Sequence, residues 1–415
     1  MAKNIGIINH QQTDSQIISH GSMMRYCKRM LSRLGTLMLL VVFSTSAFNA
    51  DAQSRIDSQT PLDDESCPIG CTRVLWNDNP VAVLVGRTQD WFNASNTKDP
   101  SDPTLLVMPR GLRKSGANSG ETVVVTENPA TWTSRYGSVV VANQNLVVLD
   151  GMNEKGLSSH ALALFPSDYG TRDVRLKGVA MGLLVPYVLD NAATVEEALS
   201  LIAEIQPVAS LLDNFTIRLA LTIEDRFGNS AVVEYPDSSK GVAKIYQGRD
   251  VRVFANLDID KSRTIQQRDY PFDVATATRN TIIPGNGGRI NRYVRAAFFD
   301  AYLSELQPRD LLEAKAAMMS VMRSVSNPIG APGDKPGKGP YYGDETSSVT
   351  IADLTNLVYV FDSDRTLTSL STDLRRLDFR PGSGVRIVNP QDPRINGDVT
   401  KRYKRVRKSV PGLVD

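Results

Sequence analysis

The chain beyond residue 70 consists of short apolar runs separated by turn residues, a pattern typical of β-strands. Two runs, at 74–76 and 81–85, flank Asn77-Asp78-Asn79-Pro80, whose turn-forming residues predict a hairpin. Four more runs predict strands at 104–108, 137–142, 146–149 and 156–164. The residues between the last two runs, 150–156, are rich in Asn and Gly and predict a turn.

Apolar residues then recur at helical spacing and predict helices at 179–189, 194–205, 292–303 and 309–325. Pro186 predicts a kink in the first of these helices. Thr194 and Glu197 have the spacing of a capping box at the start of the second. Further strands are predicted in two groups, at 216–223, 230–235, 242–246 and 251–255, and at 347–352, 357–361 and 367–370.

This order of strands and helices favours an α+β fold in which two stacked antiparallel sheets are flanked by helix layers. We expect one domain of this four-layer αββα type over residues 71–388. The basic run at 401–408 lies beyond the last predicted core element. We therefore expect residues 389–415 to form a basic, disordered tail.

The first 52 residues have the features of an export signal with an extended leader. A basic region containing Arg25, Lys28 and Arg29 precedes an apolar stretch at 34–43, and Ala50-Asp51-Ala52 is a small-x-small cleavage site. Ten helical residues rise only about 15 Å, too little to span a bilayer. We expect a periplasmic or secreted protein of a Gram-negative type cell, with residues 53–70 as a propeptide or linker and no stable membrane span in the mature form.

Composition narrows the possible chemistry. The 415 residues carry a formal net charge of +2, which gives no indication of a nucleic-acid partner. Cys27, Cys67 and Cys71 are too few for a disulfide framework, although Cys67 and Cys71 remain a possible bridge. Only one histidine, His160, lies outside the first 52 residues, so a Cys-His or Ser-His-Asp site would depend on it alone. No metal-ligand spacing is present.

Cys71 is the leading candidate nucleophile, provided that it becomes the first residue of the mature chain. It would then carry a thiol and a free α-amine, whose unperturbed pKa of about 7.7–8.0 suits a general base near neutral pH. Arg87 and Asp90 follow on the next predicted strand. Since side chains alternate along a strand, these two project to opposite faces, and a surface pair is the alternative interpretation.

An ordered set of motifs resembles the choloylglycine hydrolase and penicillin V acylase family, a branch of the N-terminal nucleophile hydrolases. The matching segments include 71–73, 86–91, 109–111, 150–157, 291–298 and 320–323, with Pro328 and Gly330. The resemblance implies an αββα sandwich, autocatalytic exposure of the cysteine, and hydrolysis of linear non-peptide amides. It implies no metal or organic cofactor, and tetramers are common among the relatives.

The resemblance also implies roles for single residues. Cys71 would be the nucleophile, with Arg87 and Asp90 beside it. Asn256 would bind the oxyanion through its side-chain amide, and Arg292 matches the second arginine of the family. The sequence departs from the family where Asn256 is followed by Leu257-Asp258, without the usual proline. Candidates for the substrate pocket are Trp91, His160, Ala163 and Leu164, with packing as the alternative for Trp91 and His160.

These observations predict an exported amidase that acts through a thioester on Cys71. Candidate substrates are phenoxyacetyl penicillins, acylated homoserine lactones and conjugated bile salts. The apolar stretch at 161–164 favours the first two. The alternative is a catalytically silent periplasmic relative that binds acylated ligands, which would follow if Cys71 stays internal or is bridged to Cys67.

Overall fold

The protein is described by a computed structural model. It describes residues 69–91, 103–119, 122–143, 147–165, 167–212, 215–329, 331, 345–363, 365–406 and 412–414. Residues from Glu65 to Asp415 form one compact unit. The expected signal peptide (1–52) and most of the expected propeptide (53–70) lie outside the described residues.

Two large sheets form the centre of the fold. The first has seven strands in the spatial order β18 (Val253–Phe254), β1 (Ile69–Trp76), β2 (Leu84–Trp91), β19 (Thr346–Asp353), β20 (Val358–Ser363), β21 (Ser369–Asp373) and β23 (Gly397–Asp398). The second has nine, in the order β17 (Lys244–Gln247), β16 (Ser230–Glu234), β15 (Leu219–Asp225), β10 (Leu157–Ala163), β9 (Val147–Asn153), β8 (Ser138–Asn143), β3 (Thr104–Met108), β22 (Arg386–Val388) and β24 (Lys404–Arg405). Their pairings are antiparallel, apart from the parallel β21–β23 pair.

Four two-stranded ribbons complete the strands in the described part of the chain: β4 (Arg113–Ser115) with β7 (Thr131–Thr133), β5 (Asn118–Ser119) with β6 (Thr122–Val123), β11 (Lys177–Ala180) with β12 (Ile205–Val208), and β13 (Ser210–Leu212) with β14 (Phe215–Ile217). The described helices are α1 (Leu184–Asn191), α2 (Val195–Ala203), α3 (Ile259–Asp269), α4 (Arg289–Glu305) and α5 (Leu311–Ser324).

Three apolar cores separate four layers. One core lies between the second sheet and α1 with α2, and includes Ala161, Ala163 and Leu184. Another lies between the first sheet and α4 with α5, and includes Val74 and Met318. The third joins the inner faces of the two sheets. The fold is therefore the predicted α+β, αββα sandwich, in which the middle layers are buried on both faces.

The predicted strands occur, but several bounds differ. The strand at 104–108 agrees with β3, whereas β1 begins well before residue 74 and β2 continues to Trp91. Asp150 to Asn153, predicted as a turn, belong to β9, and the turn itself is shorter, at Glu154-Lys155-Gly156. The first sheet covers one face of β9 and α1 covers the other, so its polar residues find partners inside the fold and the strand does not end where its apolar run ends.

The predicted helix at 179–189 divides into β11, a short 3-10 turn and α1. Pro186 lies in the first turn of α1, where a missing backbone N–H costs no intrahelical hydrogen bond, so it does not kink the helix. The capping residue Thr194 accepts from the Glu197 amide at 3.2 Å, and the Glu197 carboxylate accepts from the Ala193 amide at 2.7 Å. The capping residues predicted at the start of α2 therefore make the expected contacts.

Helix α3 was not predicted because its sequence is mostly polar and lacks an apolar stripe. Asp258 caps it by accepting from the Lys261 amide at 2.8 Å. Within the expected tail (389–415), β23 and β24 are strands of the two sheets, and Val399 is buried in the inter-sheet core. The described part of this segment is thus built into the fold. Among the described residues, no helix is long and apolar enough to cross a membrane.

Candidate active site

Strands β1 and β2 place Cys71 at the centre of the candidate site. Cys71 lies opposite Gln89 in the antiparallel register, and Arg73 lies opposite Arg87. Side-chain alternation sends Cys71 and Arg87 toward the second sheet, and Asp90 toward the layer of α4 and α5. We call these two surfaces of the first sheet the thiol face and the main-chain face.

The surface-pair interpretation of Arg87 and Asp90 is wrong, because each side chain is at most 1% exposed. Both faces of β2 are covered, one by the second sheet and the other by helices. Arg87 and Asp90 can therefore both belong to the site although they lie on opposite faces of β2. Each approaches Cys71 from its own side.

On the thiol face, Arg87 Nη2 lies 3.3 Å from Cys71 Sγ and donates to the Ala161 carbonyl at 3.0 Å. Its other terminal nitrogen, Nη1, donates to Gln89 Oε1 and to Asp150 Oδ2, each at 3.1 Å. A guanidinium beside a sulfur favours the thiolate. Asp150 fixes the plane of that guanidinium and so directs its second nitrogen to the thiol.

Asp150 is itself part of a buried ionic network. His160 Nδ1 lies 3.0 Å from Asp150 Oδ1, and His160 Nε2 lies 3.1 Å from Glu224 Oε2. Arg73 Nε contacts Glu224 Oε1 at 2.6 Å. We call the five residues Arg73, Glu224, His160, Asp150 and Arg87 the ionic chain. It runs between the sheets and ends at the Cys71 sulfur.

Hydroxyl groups complete the shell of the two carboxylates. Asp150 accepts from Tyr359 and from Thr350, each at 2.7 Å. Glu224 accepts from Ser158 at 2.7 Å. Although burial disfavours the Asp150 carboxylate, His160 and Arg87 outweigh burial and hold its pKa far below the ordinary range. Burial alone would lower the pKa of His160, but Asp150 and Glu224 raise it to about 9.

The Cys71 thiol lies in an apolar environment. It packs among the buried side chains of Leu162, Leu164, Ala220, Val232, Val251, Phe254 and Ile259. Burial raises the pKa of the thiol, while Arg87 opposes this shift. In the uncleaved chain the thiol is therefore held mainly in its protonated form. Cys71 is a free cysteine in the structure, and Cys67 lies outside the described residues.

The main-chain face holds the backbone of Cys71. The amide N–H of Cys71 donates to Asn256 Oδ1 at 2.5 Å. Arg292 Nη1 donates to the Cys71 carbonyl at 2.7 Å and to Thr72 Oγ1 at 2.8 Å, and Arg292 Nη2 donates to Asn256 Oδ1 at 3.1 Å. Asp90 Oδ2 is 3.4 Å from Arg292 Nη1, and Asp90 Oδ1 accepts from Thr346 at 2.6 Å.

Asn256 adopts a left-handed backbone, with φ of 61°, directly after β18. Asparagine tolerates this conformation better than most residues do. The side-chain amide is oriented by its partners, because Oδ1 accepts from two donors and Nδ2 donates to the Ala163 carbonyl at 2.7 Å. One Nδ2 hydrogen is thereby used and the second remains for a ligand.

Gly70 is the residue on the N-terminal side of the expected cleavage. A Cβ atom at this position would lie 2.8 Å from Arg292 Nη2 and 2.8 Å from Asp90 Oδ2. Only glycine fits this close approach without displacing the two side chains. The bond between Gly70 and Cys71 therefore lies against the Arg292 and Asp90 side chains.

The structure places three of the four predicted pocket residues, each in a different position. Leu164 packs with Cys71 on the thiol face. The Ala163 methyl group packs in the core between the second sheet and its helices, so only the Ala163 carbonyl contacts the site. His160 belongs to the ionic chain and not to a pocket wall. The side chain of Trp91 lies outside the described residues.

Sequence reasoning missed four contributors: Arg73, Asp150, Glu224 and Thr346. Arg73 and Asp150 stood within the motifs that carry the family resemblance but received no role. A signal was available for Asp150, since it directly follows an apolar run, and an acidic residue that continues a buried strand needs a buried partner. Glu224 and Thr346 carried no such signal, because their partners lie more than 60 residues away in the chain.

The family model for linear amide C–N hydrolases of the choloylglycine hydrolase family matches residues 71–381. The chain belongs to the choloylglycine hydrolase family. It is therefore a linear amide C–N hydrolase, in agreement with the resemblance seen in its sequence. The match of this choloylglycine hydrolase model begins at Cys71.

Individual relatives are similar to the chain over most of its length. It is 28% identical over 347 residues to penicillin V acylase from Pectobacterium atrosepticum, which is 76% of this chain and 84% of that protein. The structure of penicillin V acylase from Agrobacterium tumefaciens is similar with a TM-score of 0.66 and 29% identity, covering 83% of this chain and 99% of that chain. A variant of conjugated bile acid hydrolase from Clostridium perfringens, 17% identical, shares the fold with a TM-score of 0.61 over 77% of this chain and 97% of its own.

Proposed function

We propose that the chain is exported, loses all residues before Cys71, and hydrolyses a linear amide through a thioester on Cys71. One observation carries the proposal: separate groups hold the sulfur and the nitrogen of the same residue. Arg87 lies 3.3 Å from the sulfur, and Asn256 Oδ1 lies 2.5 Å from the nitrogen. A nucleophile whose own α-amine is the base needs both atoms in fixed positions.

Maturation would use the same sulfur. Cys71 Sγ attacks the carbonyl carbon of Gly70, and the bond from that carbon to the Cys71 nitrogen breaks. The nitrogen keeps the electron pair and takes the thiol proton, which leaves a thioester. Water then hydrolyses the thioester, releasing the Gly70 carboxylate and restoring the thiol. The contacts of Arg292 and Asn256 with Cys71 support this step, because they hold the backbone while the bond is exchanged.

Turnover would repeat this chemistry on an external amide. The α-amine takes the thiol proton, the thiolate attacks the acyl carbon, and negative charge develops on the former carbonyl oxygen. The free Nδ2 hydrogen of Asn256 is the proposed donor to that oxygen, a contact that typically contributes a few kcal/mol. The amine product leaves with the proton from the α-ammonium. Water, deprotonated by the α-amine, then cleaves the thioester.

We propose phenoxyacetyl penicillins as the first substrate class, with acylated homoserine lactones second and conjugated bile salts third. The apolar cluster around Cys71, which includes Leu164 and Phe254, suits an aromatic or aliphatic acyl group. Two relatives with 28% and 29% identity are named penicillin V acylases. A periplasmic or secreted location, following cleavage of the signal at 1–52, is part of the same proposal.

The test is an amide panel containing penicillin V, decanoyl homoserine lactone and glycocholate. Wild type, Cys71→Ser and the matched control Cys67→Ser are compared. We expect Cys71→Ser to lose at least 100-fold in kcat/KM, while Cys67→Ser keeps wild-type turnover because Cys67 precedes the cleavage. Turnover by Cys71→Ser at the wild-type rate would remove Cys71 from the mechanism.

Intact mass and N-terminal sequencing of the same secreted samples test maturation. We expect the wild-type chain to begin at Cys71. A stable chain that begins at Gln53, binds penicillin V and hydrolyses nothing in the panel would favour the catalytically silent binder. A chain that begins at Gln53 and turns over at full rate would contradict the use of a free α-amine.

A further inference from the structure

We propose that His160 is a positioning residue for the Cys71 nucleophile: it remains an imidazolium and supplies the positive charge with which the ionic chain balances a thiolate. This inference rests on the proposed function of Cys71. His160 contacts Asp150 and Glu224, and Arg87 is the residue of the ionic chain that contacts the Cys71 sulfur, so His160 would act through Asp150 and Arg87. Its role therefore concerns the charge and the orientation of Arg87.

Each ring nitrogen of His160 faces a buried carboxylate oxygen. Nδ1 faces Asp150 Oδ1 at 3.0 Å and Nε2 faces Glu224 Oε2 at 3.1 Å. A neutral imidazole has one N–H and one acceptor nitrogen, so one carboxylate would face a lone pair. The imidazolium places positive charge against both carboxylates, through a hydrogen bond from Nδ1 to Asp150 and an ion-pair contact of Nε2 with Glu224. All three groups are fully buried, so water does not replace the missing bond.

The charges of the ionic chain then show what the imidazolium contributes. Arg73, His160 and Arg87 are cations, and Asp150 and Glu224 are anions, so three cations against two carboxylates leave one positive charge. A Cys71 thiolate beside Arg87 would neutralise that charge. With a neutral histidine, the two carboxylates would already compensate both arginines. The thiolate would then be an uncompensated buried anion, which is costly.

Other charged groups near the ionic chain are paired among themselves. Asp90 pairs with Arg292 at 3.4 Å, and Asp300, which acts on Arg73, pairs with Arg252 at 2.8 Å.

The remaining neighbours are neutral. Tyr359 and Thr350 donate to Asp150, and Ser158 donates to Glu224, all as neutral hydroxyls. Burial and Asp150 raise the pKa of Tyr359 well above its ordinary value, so it stays protonated. The pKa of His160, raised to about 9 by its two carboxylates, keeps the ring charged through the neutral range.

The wild-type protein allows a direct measurement, because cleavage before Cys71 removes His10 and His20 and leaves His160 as the sole histidine of the chain. An untagged sample labelled with ¹³C-histidine should give one Cε1–H signal. We expect the chemical shift of an imidazolium from pH 6 to pH 8. The shift of a neutral ring at pH 7 would overturn the proposal without any variant.

Variants test the link to the thiol. The rate of iodoacetamide alkylation of mature protein, followed against pH, reports the midpoint of Cys71 ionisation. Since the mature chain would contain only one cysteine, no other thiol contributes. We expect His160→Gln to raise the midpoint by about one pH unit, which corresponds to roughly tenfold less thiolate below both midpoints. We expect a similar fall in kcat/KM.

The double variant His160→Gln/Glu224→Gln separates charge from packing. It removes one cation and one anion, so the network again keeps one positive charge. We expect the midpoint to return to within about 0.3 units of wild type. A residue with only a packing role would make the double variant worse than the single one.

Thr222→Val is the matched control. Thr222 lies opposite His160 in the β10–β15 pair, equally buried and uncharged, and its replacement should leave the midpoint unchanged. If His160→Gln matures and hydrolyses penicillin V with the wild-type midpoint of Cys71 ionisation, the proposed role of His160 is refuted. The proposed role of Cys71 would be unaffected by that result. Turnover that does not depend on Cys71 would refute the proposed function instead.

Discussion

Groups on the two faces of the first sheet contact different atoms of Cys71. On the thiol face, the sulfur meets one guanidinium that is held by a row of buried charges extending to Arg73. On the main-chain face, the nitrogen and the carbonyl of Cys71 meet an amide and a second guanidinium, from Asn256 and Arg292. The strand separates the contact of Arg87 with the sulfur from the contact of Arg292 with the carbonyl, and Asn256 connects the two sides because its Nδ2 donates to the Ala163 carbonyl of the second sheet.

This separation allows one residue to supply two functional groups. Sγ and the backbone nitrogen of a residue within a strand point in different directions, so groups on different layers can address them independently. Arg87 is positioned by the second sheet, and Arg292 by α4. The comparison implies that the thiol face sets reactivity and that the main-chain face sets geometry and cleavage.

Arg87→Lys has the largest expected effect among the variants that test this comparison. Lysine keeps the charge but cannot hold Asp150, the Ala161 carbonyl and the thiol at once, as the planar guanidinium does. Loss of one charge-assisted hydrogen bond corresponds to about 1.5–3 kcal/mol. We therefore expect kcat/KM on penicillin V to fall about 10- to 100-fold and maturation to slow as well, because both steps use the same thiol.

Arg323→Lys is the matched control for Arg87→Lys. Arg323 is largely exposed and pairs with Asp362 at 3.5 Å, so the same exchange should leave kcat/KM unchanged. The measurement is steady-state hydrolysis by protein whose N-terminus has been sequenced. An Arg87→Lys enzyme with the wild-type kcat/KM and a wild-type alkylation profile would disprove the role assigned to the thiol face.

Gly70→Ala probes the main-chain face alone. The added methyl group would lie 2.8 Å from Arg292 Nη2 and from Asp90 Oδ2, and so displace the groups that hold the cleavage site. A misplacement of this size at a reacting bond costs up to about 100-fold in rate. We expect slower appearance of the Cys71 N-terminus, by about tenfold or more, measured by mass spectrometry of samples taken over time.

Once cleaved, the Gly70→Ala chain is identical in sequence to the wild-type enzyme. Its turnover per Cys71 N-terminus should therefore equal that of wild type, unlike the turnover of Arg87→Lys. Gly285→Ala is the control, since a Cβ at Gly285 meets no atom within 4 Å. Wild-type maturation of Gly70→Ala would show that the contacts of Arg292 and Asp90 at this point do not control cleavage.

Local patterns in the sequence predicted much of this arrangement. Alternation predicted that Arg87 and Asp90 face opposite ways, and the motif order predicted that both lie beside Cys71. Both statements agree with the geometry. Alternation alone did not reveal that helices cover the face of Asp90, because burial of a strand face depends on elements more than 100 residues away.

The ionic chain was beyond sequence reasoning for a related reason. Its members lie on β1, β2, β9, β10 and β15, and only the stacking of the two sheets brings them together. His160 stands in an apolar stretch, which favoured packing or a pocket wall. Nothing local in the sequence shows that a carboxylate faces each side of its ring. Such partners follow from sheet register, which a single sequence does not provide.

Glu234 connects the main-chain face to the stability of the fold. Its Oε1 accepts from the Ile259 amide at 2.9 Å, just after the Asn256 turn. Unlike Asp150 and Glu224, it has no ion pair within the described part of the chain. Burial therefore raises the pKa of Glu234 from its ordinary 4.5 to about 7, although the Ile259 amide opposes the shift.

Glu234→Gln has the smallest expected effect and should depend on pH. Because the folded-state pKa is raised, the folded protein binds more protons than the unfolded chain between about pH 4.5 and 7, and stability falls as pH rises through that window. Glutamine keeps an oxygen for the Ile259 amide but does not ionise. We expect little change at pH 5 and up to about 3 kcal/mol of added stability at pH 8, from urea unfolding. The exposed Glu204→Gln should change neither value. If Glu234→Gln gains the same stability at both pH values, ionisation of the Glu234 carboxylate does not destabilise the fold. The buried charge beside the Asn256 turn would then be balanced as well as the charges of Asp150 and Glu224 on the thiol face.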